Sequence, residues 1–301
     1  MNIQSLATEL TELEENPALD EEINLVGRVE ALKLGQLIDE LVQLKGRSED
    51  LLDLQTRSVR LQTRFQDINR QLFSHVWTDL QAGRFDQDQL RQFLDQFTSY
   101  QTKPGQDHFG PDGLDYLLDG VFGLAAPPSA TFTPEAEMIH LEHTPARVIL
   151  DLVDHADLKA DDIFYDIGSG LGQIAILVHL LVGVVVWGVE IEPAYCMHAS
   201  DYAINLELFD VHFIQTDARI ANYSNGTVFF MFTPFKGKML QAVLDKLATE
   251  AQQRPIKLCT YGPCTPQVFA QPWLTNSNGS GADEFKLAIF VSEEHSTSAS
   301  V

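Results

Sequence analysis

Gly168, Gly170 and Gly172 alternate through Phe164-Tyr165-Asp166-Ile167-Gly168-Ser169-Gly170-Leu171-Gly172-Gln173, with Asp166 just ahead of them and a second acid, Glu190, 24 residues after it. Glycine reaches backbone angles that other residues resist and lets a ligand lie against the main chain. A dinucleotide site requires G-x-G-x-x-G and sets an anionic pyrophosphate at the start of the following helix. Here the third position of that pattern is Gln173, and the Asp166 carboxylate would repel a diphosphate. The residues suit a ligand with a cationic group for the Asp166 end, a ribose diol for Glu190, and no phosphate. Glu190 lies near the spacing of about 20 residues at which a ribose-binding acid follows such a turn.

These groups need a strand, a tight turn and a helix to hold them. Ile163–Ile167 predicts a buried strand and Gln173–Leu181 a helix, which places the glycines on the turn between them. Alternation continues with strands at 184–190, 211–215, 227–232 and 256–261 and helices at about 194–207 and 236–249. Near the end, Val268–Leu274 and Phe285–Val291 read as the two strands of a hairpin. That order predicts an α/β fold: a doubly wound, mostly parallel, seven-stranded Rossmann-like sheet covered on both faces. Ahead of it, apolar residues recur at helical steps, as Val26, Val29, Leu37, Leu41 and Leu44, then Leu54, Leu61, Phe65, Ile68, Leu72 and Val76, with Ser48 placed to cap the second run. Further helices take Leu90, Phe93, Leu94 and Phe97, and Leu114, Leu117, Leu118, Val121 and Phe122. Arg57, Arg60 and Arg64 share one helical face, read as solvated. Ala125-Ala126-Pro127-Pro128-Ser129 breaks both helix and strand and sets the expected division: an all-helical bundle domain at 1–125, a ligand-binding sheet domain at 126–292 and a disordered tail at 293–301.

S-adenosylmethionine has the required ammonium, ribose diol and adenine without a phosphate. On Asp166-Ile167-Gly168-Ser169-Gly170-Leu171-Gly172-Gln173, Gly188-Val189-Glu190 and Thr144, 22 residues before Asp166, the chain resembles the class I S-adenosylmethionine-dependent methyltransferases. Among them it is most similar to the non-SET histone lysine methyltransferases of the disruptor-of-telomeric-silencing type. The similarity spans about Thr144–Phe235. It implies that Asp166, with the backbone of Gly168 and Gly170, holds the methionine portion, with Gln173 at the mouth of the helix and the Thr144 hydroxyl nearby; Thr144 followed by Pro145 also reads simply as a helix cap. Glu190 is expected to accept from both ribose hydroxyls, and Asp217, in the Thr216-Asp217-Ala218 turn, from the adenine amino group unless it serves only the turn.

Thr233-Pro234-Phe235 ends the fourth strand beside the expected methyl group, where the histone enzymes carry an asparagine-containing segment. It loosely resembles the [Asn/Asp]-Pro-Pro-[Tyr/Phe] segment of amino methyltransferases. Phe235 is a candidate wall of an acceptor channel, with Tyr261 and Cys264 opposite. The transfer is an in-line displacement from sulfonium, so alignment and water exclusion matter more than a strong base. His140 and His143 could take up a proton or be surface residues, and no catalytic residue is identified.

The formal charge of −23 divides evenly: 22 acids and 11 bases in residues 1–130 give −11, and 21 and 9 in residues 131–301 give −12. Nucleic acid and anionic membrane are disfavoured as partners, and a cationic protein segment or a small-molecule acceptor is favoured. Cys196, Cys259 and Cys264 lack C-x-x-C spacing and are odd in number, which fits reduced thiols in a cytoplasmic protein and no metal site. The expected activity is methyl transfer to a protein lysine or other amine, with a small-molecule methyltransferase or a non-catalytic adaptor built on the helical domain as alternatives. A nicotinamide oxidoreductase is disfavoured by Gln173 and Asp166.

Overall fold

Seven strands form one sheet in the computed structural model: β1 (Ile163–Ile167), β2 (Val185–Glu190), β3 (Val211–Gln215), β4 (Val228–Phe232), β5 (Lys257–Tyr261), β6 (Leu274–Asn276) and β7 (Ala288–Ser292). Their order is β3-β2-β1-β4-β5-β7-β6. The first five pair in parallel, while β7 runs antiparallel to both β5 and β6. This is the doubly wound sheet expected. Residues 3–46, 48–99, 112–124 and 126–292 are described; the tail expected at 293–301 lies outside them.

The central strands are largely apolar because both sheet faces are covered, with Asp166 and Glu190 as acids at the carboxyl ends of β1 and β2. Val228, Phe229, Phe230 and Met231 of β4 are all buried. Helices α6 (Ala146–His155), α7 (Gln173–Val182), α8 (Pro193–Asn205) and α9 (Gly237–Ala251) supply the cover. Seven of the ten residues of α7 are buried, as its nearly unbroken apolar sequence requires. Strand order reverses between β1 and β4, and the crevice beyond the carboxyl ends at such a reversal is where open α/β sheets bind ligands.

Several local readings differ from the sequence-based expectation. Residues 268–273 are not a strand: Thr265–Phe269 form a short helix, α10, with Pro266 in its first turn and Val268 fully buried; β6 begins only at Leu274, and the second hairpin strand begins at Ala288 and not at Phe285. Proline cannot donate to a sheet ladder but suits a helix start. The cap position of α6 falls on Pro145, with no side-chain cap bond, so Thr144 does not cap the helix.

The chain divides into two compact units, Met1–Phe85 with Arg91–Ala125, and Asp86–Leu90 with Ala126–Val301. The first is built on α1 (Ile3–Glu15), α2 (Leu25–Lys45), α3 (Glu49–Gln81) and α5 (Gly113–Phe122), with α4 spanning Gln87–Ser99. Ser48 caps α3 through Leu51 N–H. The buried face of α2 is Leu25, Arg28, Ala31, Leu34, Gly35, Ile38 and Val42, one step from the expected stripe, and Leu44 is exposed. The shift follows from Arg28. Its buried guanidinium donates to the carbonyls of Leu19, Glu21 and Glu22 and to Asn69 Oδ1, ending the Pro17–Asp20 turn of 3₁₀ helix. Arg57 and Arg64 are not simply solvated: they pair with Glu14 and Asp20 inside the same unit.

Candidate functional site

The turn after β1 is held open by its glycines, with φ of +82° at Gly168, +52° at Gly170 and +85° at Gly172. A Cβ at Gly168 would stand 2.3 Å from Pro234 Cβ, so only glycine lets the end of β4 come this close to the turn. Gly168 and Ser169 N–H both reach Val189 O, tying the turn to β2.

Glu190 closes β2 and is the hub of the site. Its Oε2 accepts from Gly170 N–H at 2.8 Å and its Oε1 from Glu192 N–H at 2.8 Å. A carboxylate offers about four lone-pair sites, and with Ile191 N–H also facing it some capacity is left for a ligand. Burial raises the Glu190 pKa, against the pull of these N–H groups, and the Glu192 charge adds to the rise.

Asp166 lies beneath the turn, only 1% exposed. Burial and then the Glu190 charge push its carboxyl up to about 8, with Ala175 N–H in the first turn of α7 opposing them. Its Oδ2 and the neighbouring Ser169 Oγ are buried without a hydrogen-bond partner. An orphaned buried carboxylate oxygen is costly unless something else satisfies it. A bound ammonium would do so. This donor-hungry end, the spare lone pairs on Glu190 and the open glycine backbone fit the group that the sequence implies.

A cavity of about 280 Å³ opens at the carboxyl ends of β1 to β4. Gly168, Gly170, Glu190, Asp217, Ala218, Thr233, Pro234 and Phe235 line it, so eight residues spread over 68 positions of chain converge on one space. Thr144, Asp166, Gln173 and Tyr261 are not on its wall. Thr144, Asp166 and Gln173 are buried instead, while the Tyr261 ring stacks at a tilt on Phe232. Cys264, expected opposite Phe235, is buried in the core with its Sγ on the carbonyls of Met231 and Tyr261. His140 reaches the cavity and His143 does not.

Two candidates are already engaged within the chain. Asp217 accepts from the Arg219 backbone N–H and from its guanidinium, which holds the carboxyl below the usual range. Thr233, with an unusual φ of +41°, donates to Tyr261 O at 3.3 Å and accepts from Cys264 N–H at 3.1 Å. Its hydroxyl therefore braces β4 against the turn after β5.

Apart from His140, the sequence reading missed one wall. Ala130, Phe132, Pro134 and Met138 to Glu142 arc over the cavity, tied down by polar contacts. Glu135 pairs with Arg219, Ile139 N–H reaches Pro234 O, and the Glu137 carboxylate accepts from Met239 N–H, serving the α9 start that no cap side chain serves. Glu192 and Tyr195 are among the other omissions. The Glu190-Ile191-Glu192-Pro193 spacing carried the only available signal, an acid directly before a proline-initiated helix.

Residues 132–226 match a family model described as histone methylation protein DOT1. Comparison with curated proteins gives no match. Similar solved structures include an RNA methyltransferase from Salinibacter ruber in complex with S-adenosyl-L-homocysteine, at 23% identity and a TM-score of 0.35, covering 50% of this chain and 92% of that one. A magnesium protoporphyrin IX methyltransferase from Synechocystis with bound S-adenosylmethionine is 16% identical, with a TM-score of 0.38 and coverage of 49% and 77%. An S-adenosylmethionine-dependent methyltransferase from Geobacter sulfurreducens is 21% identical, with a TM-score of 0.34 and coverage of 44% and 54%. Sheet order, glycine turn, paired acids and matched segment together define a class I S-adenosylmethionine-dependent methyltransferase. The similarity to the DOT1 family is confined to residues 132–226, about a third of the chain.

Proposed function

We propose that the enzyme methylates an amine, foremost a lysine carried on a basic protein segment. The observation that carries this reading is the division of the cavity wall. Glu142, Glu190, Glu192 and Asp217 give it acid, while Met138, Phe232, Phe235 and Met239 leave the end near β4 apolar. In a chain of charge −23 this draws in a cation and then strips water from it.

When bound, S-adenosylmethionine supplies an electrophilic methyl group on sulfonium. Asp166 and Ser169, with the backbone of Gly168 and Gly170, would hold its methionine portion, and Glu190 its ribose. Gln173 at the start of α7, and the buried Thr144, support that end. Ala218 and Asp217 flank the adenine, with Asp217 kept in place by Arg219. The apolar end desolvates the incoming ammonium and lowers its pKa, so that the amine arrives neutral with a free lone pair. Thr233 shapes the acceptor end by bracing the strand, and Pro234 and Phe235 form its wall. Tyr261 acts through Phe232.

The family description, a histone methylation protein, supports the same acceptor class. The test is transfer of labelled methyl from S-adenosylmethionine to core histones, to a basic peptide with one lysine, and to the same peptide with that lysine acetylated. Label on the histones and on the free-lysine peptide, with none on the acetylated peptide, is expected. Label on RNA or on a carboxylate metabolite, with none on any amine, would overturn the reading.

A further inference from the structure

Glu192 is 4% exposed, and both of its carboxylate oxygens are fully used. Oε2 accepts from Thr131 N–H at 2.8 Å and from Phe132 N–H at 2.7 Å. Oε1 accepts from the Thr131 hydroxyl at 2.9 Å and from Ala194 N–H at 3.0 Å. Three of these four bonds hold a segment some 60 residues away in sequence. Apart from the Glu135–Arg219 pair, little else holds that end: Ala130, Thr131 and Thr133 to Ala136 are exposed, and Phe132 is half-buried on the cavity wall. A stretch with few apolar contacts opens readily unless polar ties close it. The Glu192 backbone N–H meanwhile donates to Glu190 Oε1, and Glu190 Oε2 takes Gly170 N–H. One hydrogen-bonded chain thus joins the overlying segment, the acid at the end of β2 and the glycine turn.

We propose that Glu192 is a positioning residue that clamps Thr131 and Phe132 across the cavity and so seats the Phe132 ring against the nucleoside end of the cofactor. The inference rests on the assignment of Glu190 to the ribose. A carboxylate is suited to the task because it accepts from three backbone or hydroxyl donors of one short segment at once, which an amide with a single oxygen cannot match. The clamp leaves no lone pair over for the ligand, so Glu192 acts through Phe132 and not by touching the cofactor.

The test is calorimetric titration of the full chain with S-adenosylhomocysteine, alongside hydrogen exchange at 130–135. Glu192→Ala, which loses the charge-assisted tether, and Phe132→Ala, which loses the ring that the tether seats, should each weaken binding about tenfold. The double variant should be no weaker than either single one, because both remove the same seat. Ligand should slow exchange at Thr131 and Phe132 in the wild type, not in Glu192→Ala, and partly in Glu192→Gln. Wild-type affinity in Glu192→Ala, or losses that multiply to about a hundredfold in the double variant, would overturn the clamp while leaving the cofactor assignment standing. A wild type that binds no ligand would instead bring down the assignment on which the clamp depends. Should Glu192→Ala fail to fold, Phe132→Ala and Thr131→Val carry the test, and wild-type affinity in Phe132→Ala would sink the proposal.

Discussion

Cofactor binding should release a proton, and Asp166 should be its source. In the ligand-free protein, burial and the Glu190 charge push the Asp166 carboxyl up to about 8, while Oδ2 has no partner. At pH 7 it is therefore about nine-tenths protonated, and a ligand ammonium that needs the carboxylate must first expel that proton. Below pH 8 each unit costs about tenfold in affinity, so between pH 5.5 and 7.5 binding of S-adenosylhomocysteine should tighten roughly a hundredfold, about 2.7 kcal/mol. Titration calorimetry at pH 7 in buffers of different ionisation heat should find close to one proton released per ligand. Asp166→Asn should abolish both the release and the slope, and bind more weakly above pH 8. The stability of the ligand-free protein carries the opposite sign. The folded pKa lies above the unfolded one, so the folded state holds the extra proton and stability falls as pH rises from about 4 towards 8. Asp166→Asn should remove that fall and raise the unfolding temperature at pH 8. Wild-type affinity that stays flat with pH and releases no proton would refute the reasoning. The same release from Asp166→Asn would assign the proton elsewhere, with Glu190, also raised, as the first suspect.

Other expectations follow from single contacts. Glu190→Ala strands Gly170 N–H and Glu192 N–H, each a loss of about 1–3 kcal/mol, and should weaken cofactor binding by tenfold or more; unchanged affinity in calorimetry would end the ribose assignment. Thr233→Val breaks the brace between β4 and the turn after β5 and should lower stability in urea by about 1–3 kcal/mol. If it instead raised the acceptor KM without loss of stability, the hydroxyl would be an acceptor ligand. Arg28→Met leaves three carbonyls and Asn69 without their donor and should destabilise the helical unit by about 3 kcal/mol or more, with cofactor affinity unchanged. Thermal unfolding and calorimetry on the one variant separate those two effects.

Local pattern determined much of this protein before any coordinates. The apolar runs of β1, β2 and β4 and the glycine turn into α7 are contiguous, so their periodicity and turn chemistry are written along the chain, and Glu190 follows from its spacing. The alternation of strands and helices restricted the topology to a doubly wound sheet. Elements set by distant partners could not be read in the same way. The buried face of α2 depends on Arg28 finding the carbonyls of Leu19, Glu21 and Glu22 and the Asn69 side chain, and α10 on Val268 finding the core. At the site, sequence singled out the acids but not their state. Only tertiary structure decided that Asp166 is buried without a partner, that Arg219 occupies Asp217, that the Thr233 hydroxyl braces a strand, and that Glu192 holds Phe132 over the cavity. The physical reason is that desolvation and hydrogen-bond saturation depend on which groups meet in space, and a carboxylate in sequence carries no record of whether its lone pairs will be filled.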